Sequence, residues 1–427
     1  MAANPLHAPA ALPQRRFRWR VRLAALAFGL GLAVLLLELL LRLFVPVAIS
    51  PYRFDPFLGS RLRADCSFWD EEGRQWVRTS HHGWRDREHA MEKPPHLFRI
   101  AVLGDSYAEA AQVPLEQTFW ARLEQQLNAG RTADQPVVEV LNFGIAGHGT
   151  VQEWQTLTRE VLPYQPDLVL LACLPTNDVR NNSPALEPER TRPFARVVTD
   201  AADGSPRLEV DYPSDPMPAG SWLACKDFLV RHSRLLALIY RWRQVQRMKA
   251  AAEVKATRRD KSTPAGSGSE AGLDDPVFAP PRDRDWEQAW QITELALGEI
   301  DRTTRSHSAR MVLLLIPAGV QVHPDPTVEQ GLAQKLGVPD LDYAEERLTA
   351  WAQSQQVPVV RLSDRFREYA RSTGPTPAAN SSTDGRYLHG FAHGRLGTGH
   401  WNAQGHALAA ERLTEQLRPL LPTARSD

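Results

Sequence analysis

Apolar positions along this chain follow two different rhythms. Near the start, residues 23–37 form an uncharged run, interrupted by Glu38 and Arg42 and then continuing to Val45. Residues 23–37 alone would rise only about 22 Å as a helix, short of a ~30 Å hydrocarbon core. Extended to Val45 the segment can span, with Glu38 and Arg42 one helical turn apart and placed to pair near the interface. From Phe98 onward the rhythm changes to short apolar runs separated by amphipathic stretches. The runs at 99–104, 137–141, 167–174, 311–316 and 357–362 predict five strands. The stretches at about 115–127, 151–162, 285–304, 339–355 and 402–417 predict helices. The run at 167–174 is apolar almost throughout, as a strand covered on both faces would be. Strands alternating with helices in this way predict an α/β fold, a parallel five-stranded sheet with helices on both sides and right-handed crossovers.

The regions between are less regular. Residues 51–97 are rich in Arg, Trp, Pro and Asp with little periodicity, and read as a connector packing on the main domain. Residues 179–282 interrupt the alternation as an insertion. Within it, 179–220 is proline-rich and loop-like, and 221 to about 254 predicts a helix with an apolar stripe through Leu235, Leu238, Ile239 and Trp242 and a basic continuation. Residues 255–282 carry a Gly/Ser-rich stretch that predicts a disordered linker. The predicted organisation is a basic tail at 1–22, an anchor at 23–45, the connector at 51–97 and one large domain at 98–420.

Charge fixes a direction for the anchor. Arg15, Arg16, Arg18, Arg20 and Arg22 precede the apolar run, and the positive-inside rule keeps that end cytoplasmic. No clear small-x-small cleavage site follows the run, so an uncleaved anchor is expected, with everything after residue 50 exported. Fifty basic residues balance fifty acidic ones over the 427 residues, so no global field argues for nucleic acid as a partner. Cys66, Cys173 and Cys225 are too few and too scattered for a disulfide framework or a metal site.

The chemistry-bearing residues fall just after predicted strands, where open parallel sheets place their sites. Gly104-Asp105-Ser106-Tyr107 follows the first run; a serine there is exposed at the sheet's edge, with turn amides free to meet a developing anion. Asn142-Phe-Gly-Ile-Ala-Gly147-His-Gly-Thr follows the second, its three glycines allowing close backbone approach or left-handed turns. Pro175-Thr-Asn177-Asp178 follows the third and offers a neutral amide donor. Gly399-His400-Trp401-Asn402 stands just before the last helix, where Asn402 is a plausible cap and the imidazole can reach back over the site. Each string alone reads equally well as a turn, a cap or a surface histidine.

Together, in this order and spacing, the four strings resemble the signature blocks of the GDSL (SGNH) hydrolases, and residues 98–417 carry the resemblance. His82-Gly-Trp-Arg-Asp86 looks like the lead-in of membrane-anchored bacterial members. The resemblance implies a three-layer flavodoxin-like fold and an O-acyl ester substrate, on a small molecule, glycan or lipid, at the periplasmic side of a bacterial inner membrane. It implies Ser106 as nucleophile and His400 as base. The amides of Ser106 and Gly147 and the side chain of Asn177 would form an oxyanion hole. It implies no metal and no organic cofactor. Two positions depart from the pattern: Pro175-Thr176 precedes Asn177 where Gly-x is usual, and Gly397 stands where the family has an aspartate three residues before the histidine. Asp384, in an apparent insertion, is a candidate orienting acid in its place, with a backbone carbonyl as the other route. The same residues also suit an acyltransferase acting on an envelope polysaccharide, or a glycan-binding member that has lost catalysis.

Overall fold

The computed structural model describes residues 14–44, 51–187, 191–200, 204–213, parts of 225–246, 274–372 and 385–422. They divide into two compact units. The smaller contains residues 1–49 with 217–262; the larger contains 50–216 with 263–427.

In the smaller unit, helix α1 (Gln14–Phe44) includes one stretch, Trp19–Phe44, long and apolar enough to cross a membrane. The predicted pair forms, Arg42 Nε donating to Glu38 at 3.0 Å. Glu38 has further partners: it accepts from the Ser233 hydroxyl at 2.9 Å and from the backbone amides of Arg234 and Leu235 at 2.8 and 3.1 Å. Its carboxylate therefore caps the helical turn that begins at Arg234, satisfying amides that have no partner within a helix. The described residues 234–240 are helical, as the apolar stripe predicted.

In the larger unit, the segment read as an irregular connector is two antiparallel hairpins. Strands β1 (Tyr52–Asp55) and β2 (Gly59–Leu62) form the first, β3 (Ser67–Asp70) and β4 (Gln75–Arg78) the second. The main alternation follows: β5 (Leu97–Gly104), helices α2 (Ser106–Glu109) and α3 (Phe119–Asn128), β6 (Val137–Asn142), α4 (Thr150–Thr156), β7 (Leu168–Cys173) and α5 (Pro175–Asn181). A third hairpin, β8 (Phe194–Thr199) with β9 (Pro206–Asp211), lies where the proline-rich stretch predicted loop. Then come α6 (Arg284–Ser306), β10 (Arg310–Leu315), α7 (Pro326–Leu336), α8 (Tyr343–Ser354), β11 (Val359–Arg361), α9 (Ser363–Ser372) and α10 (Ala403–Leu417). The insertion's linker lies mostly outside the described residues, but its end is ordered, with Val277 and Phe278 buried in a short 3-10 turn.

β5, β6, β7, β10 and β11 make one parallel sheet in the spatial order β6-β5-β7-β10-β11, the flavodoxin-like order for these five. Alternate residues of each strand feed two cores, one on each face. Leu103, Leu171 and Leu313 pack against Trp290, Leu297 and Ile300 of α6. Val102, Leu170 and Leu314 pack against Trp120 and Leu123 of α3 and Leu413 and Leu417 of α10. Burial on both faces is why the strands read as continuous apolar runs, and each such side chain contributes about 1.5–3 kcal/mol before entropy is subtracted. The sheet thus lies between two helical layers, as the sequence predicted.

Candidate active site

The sheet order places the reversal point at β5, between β6 and β7, and the site is built where these three strands end. Gly104 closes β5 with φ +155°, and a Cβ there would stand 2.8 Å from the Ala172 carbonyl oxygen and 2.9 Å from Ala108 Cβ. The chain turns on this glycine and starts α2 at Ser106. Asp105 caps that helix, accepting from the Tyr107 amide at 2.9 Å. Its other oxygen accepts from Asn177 Nδ2 at 2.7 Å. Asp105 is fully buried, and burial raises its pKa.

That contact fixes the orientation of the Asn177 amide. Its oxygen accepts from Asn181 Nδ2 at 3.0 Å, one turn along α5, so Nδ2 faces Asp105 with one N–H left over. The Pro175 departure from the usual pattern is absorbed by the helix, because Pro175 occupies its first turn, where no amide is needed. The Gly147 peptide is held from its carbonyl side, which accepts from Arg192 Nη1 at 2.8 Å and Asn181 Nδ2 at 3.3 Å. Gly147 has φ +80°, a conformation that favours glycine. Among the described residues, the backbone N–H groups of Ser106 and Gly147 have no hydrogen-bond partner. Three donors at the strand ends are thus uncommitted.

On the other side of the serine stands His400. Its Nε2 lies 2.8 Å from Ser106 Oγ. Its Nδ1 lies 2.6 Å from Glu72 Oε2, and its backbone amide donates to Glu72 Oε1 at 2.9 Å. With Nδ1 protonated and donating to Glu72, Nε2 is free to accept the Ser106 proton. Asn402 caps α10 as expected, accepting from the Gln404 and Gly405 amides, and Tyr107 donates to the Gly399 carbonyl at 2.9 Å. Both hold the histidine loop against the serine turn.

The orienting acid is therefore not where the sequence placed it. Asp384 lies outside the described residues, and the imidazole nitrogen it would have served is occupied by Glu72. Neither does a backbone carbonyl take that place. Gly397 is no residual aspartate position. It has φ +79°, and a Cβ there would meet His323 Cδ2 at 2.6 Å, so an acidic side chain does not fit. Gly399 is required for the new arrangement, since its Cβ would stand 2.3 Å from Glu72 Oε1.

Glu72 arrives at the tip of the β3–β4 hairpin. Asp70 accepts from the Gly73 amide to close the turn, at 2.5 Å. Gln75 Nε2 donates to the Ala111 carbonyl at 2.7 Å, and Gly73 packs so tightly on Gln112 that no Cβ could fit. The hairpin is thereby docked on the segment that follows α2. The Trp-Arg-Asp lead-in performs a matching task beside it. Buried Arg85 donates to the carbonyls of Glu109 and Val113, and Asp86 accepts from the Asn142 amide at 2.8 Å. Glu109 is itself buried, bridging Tyr52 and the Ala146 amide at 2.7 Å each.

Electrostatics follow the geometry. Burial alone would lower the His400 pKa, but its hydrogen bond to Glu72 and the charge behind it outweigh this and raise it above 6.5. Glu72 is raised by burial and lowered more strongly by His400, for a net fall below the usual carboxylate value. His389, buried nearby, is pushed down to about 3 by desolvation and stays neutral. Among the described residues no three His, Cys, Asp or Glu side chains are gathered to hold a metal ion.

In fold, block order and site geometry the chain resembles the GDSL hydrolases. No family model matches the sequence, and no curated protein matches it. Solved structures do match in fold. One is a lipolytic protein of the G-D-S-L family from Desulfitobacterium hafniense, 11% identical, covering 75% of this chain and 99% of its own, with a TM-score of 0.33. Another is an acetyl xylan esterase, 13% identical over 74% and 98% of the two chains, with a TM-score of 0.36. An acetylxylan esterase from Geobacillus stearothermophilus, solved as a catalytic mutant, is 11% identical over 77% and 97%, with a TM-score of 0.37. Likeness of this degree carries no argument about mechanism, which rests on the side chains described above.

Proposed function

We propose that this protein is a serine ester hydrolase whose orienting acid, Glu72, comes from the N-terminal hairpin, and which acts on O-acyl esters outside the cytoplasmic membrane. The observation that carries the reading is the unbroken chain of contacts from Glu72 through His400 to Ser106, at 2.6 and 2.8 Å. A non-catalytic member would have no need of that alignment.

In the proposed reaction His400 Nε2 takes the Ser106 proton as Oγ attacks the ester carbonyl. The oxyanion is met by the amides of Ser106 and Gly147 and the uncommitted Asn177 N–H, each worth roughly 3 kcal/mol of barrier. His400 then passes its proton to the departing alkoxide, which leaves as the alcohol. Water attacks the acyl-enzyme, giving its proton to the same nitrogen, and the carboxylic acid departs as Oγ is reprotonated. Trp19–Phe44 supports a membrane anchor, and the preceding arginines support an exported catalytic unit.

The test is covalent labelling of the full chain in detergent by a fluorophosphonate, beside Ser106→Ala and His400→Ala. Labelling of the wild type that both substitutions abolish supports the reading. A folded wild type that does not label overturns it.

A further inference from the structure

A cavity of about 300 Å³ opens on the far side of the histidine from the serine. One wall is the hairpin tip, Glu71, Glu72 and Arg74; the other is the loop 390–399 that leads into His400. Glu72 belongs to both the cavity and the catalytic chain, so the cavity begins one imidazole ring away from the nucleophile. Its volume is at the small end of ligand pockets, which run from about 300 to 1,000 Å³.

The charges around it are unevenly committed. Both Glu72 oxygens are engaged by His400. Glu71 also has an interaction of its own. Arg74 and Arg395 line the cavity, yet neither guanidinium has a hydrogen bond or ion pair with any described residue. Among the described residues most arginines elsewhere in the larger unit are used. Arg61 is clamped on Glu160, Arg99 on Glu139 and Arg367 on Asp342. Two free guanidiniums facing one void leave it with positive charge that no side chain cancels, and a guanidinium suits carboxylate or phosphate bidentately. The same wall carries an aromatic step, Phe391 and His393 stacked with ring centroids 5.9 Å apart, and His393 is pinned to the Glu72 carbonyl at 2.6 Å. Stacked rings beside cations suit a ring with an apolar face and an acidic substituent.

We infer that this cavity holds an anionic sugar, carrying a carboxylate or a phosphate, as the part of the ester substrate next to the scissile bond. The inference rests on the esterase reading for its place in a substrate, but the binding it asserts is independent of turnover. Arg74 sits in a left-handed turn conformation, φ +51°, which asparagine tolerates, so Arg74→Asn removes the charge without straining the hairpin.

The experiment measures binding of three deacylated probes to the full chain in detergent by ligand-observed NMR: tri-galacturonate, glucose 6-phosphate and xylotriose. The expected result is that one of the acidic probes binds at least about tenfold more tightly than xylotriose. Arg74→Asn and Arg395→Gln are each expected to weaken that binding about tenfold, as loss of a charge-assisted hydrogen bond does. Which acidic probe wins separates carboxylate from phosphate. Equal affinity for neutral and acidic probes, or acidic binding that survives both substitutions, overturns the inference. In parallel, Ser106-dependent hydrolysis of p-nitrophenyl acetate is expected to stay within about twofold in both variants. Its absence from the wild type would sink the esterase reading while leaving the binding result to stand or fall alone.

Discussion

The two halves of the catalytic chain are held in different ways. Ser106 stands on the sheet: β5 delivers it, Gly104 turns the chain, and Asp105 ties it to Asn177 at the end of β7. His400 stands on loops, and its acid comes from a hairpin 328 residues earlier in the chain. The serine half needs only local chain and neighbouring strands. The histidine half needs the hairpin docked on the segment after α2, with glycine at 399 to admit the carboxylate. An orienting acid thus need not be near its histidine in sequence, provided some rigid element brings it there.

The sharpest way to break this comparison is to remove either end of the proton path. Ser106→Ala and His400→Ala should each lower kcat by about 10⁴ or more, to the level left by the oxyanion donors and binding alone, measured with a chromogenic acetate ester. Glu72→Gln should be next, with a fall of roughly 10²–10⁴. It also has a signature in pH. Glu72 holds the His400 pKa above 6.5, and the base works only when neutral, so wild-type kcat/KM should rise with pH through a midpoint above 6.5. Removing the charge should move that midpoint down while the plateau falls. Asp384→Asn should leave both plateau and midpoint unchanged. Glu72→Gln with Gly397→Asp should recover nothing, because no side chain fits at 397. Recovery would mean that the loop can revert to the usual arrangement.

On the serine half, Asn177→Ala should cost about 10²–10³ in kcat with little change in KM, the expected loss for one oxyanion donor. The same rate measured with Asn177→Asp should be at least as low, since a carboxylate would face both Asp105 and the developing anion.

This contrast also explains what could be read from the chain beforehand. The five strands were legible because each is apolar on both faces, and Ser106, Gly147 and Asn177 were legible because each follows its strand directly. The hairpins were harder. Trp69 and Trp76 pair across β3 and β4, and Asp-Glu-Glu-Gly at 70–73 is a turn signal, so a hairpin could have been found there. Its destination could not, since nothing local to Glu72 names a partner in the last thirty residues. α7 and α9 escaped because they are strongly polar, and their stability comes from packing and from ion pairs such as Arg371 with Glu329. Gly397 was recognised as a departure, but only its backbone angle and the His323 ring show that the position has been given up.

The smallest expected effect lies beneath the serine half. Glu153 is fully buried, its two carboxylate oxygens have no hydrogen-bond partner in the protein, and it lies close enough to Asp105 to feel its charge. Burial first, and then Asp105, raise its pKa well above 4.5. The folded state therefore keeps Glu153 protonated at pH values where the unfolded chain would ionise it. Its contribution to stability is complete below about pH 4.5 and is lost as pH rises towards the folded value. Glutamine copies the neutral carboxyl and cannot ionise in the unfolded chain. Glu153→Gln should then raise Tm at pH 8 by a few degrees, about 1 kcal/mol or more, and leave it unchanged near pH 4.5. A Tm difference independent of pH would mean that Glu153 is ionised in the folded protein. The serine half would then rest on a buried charge instead of a neutral acid, and the contrast with the solvent-facing hairpin would be weaker than drawn here.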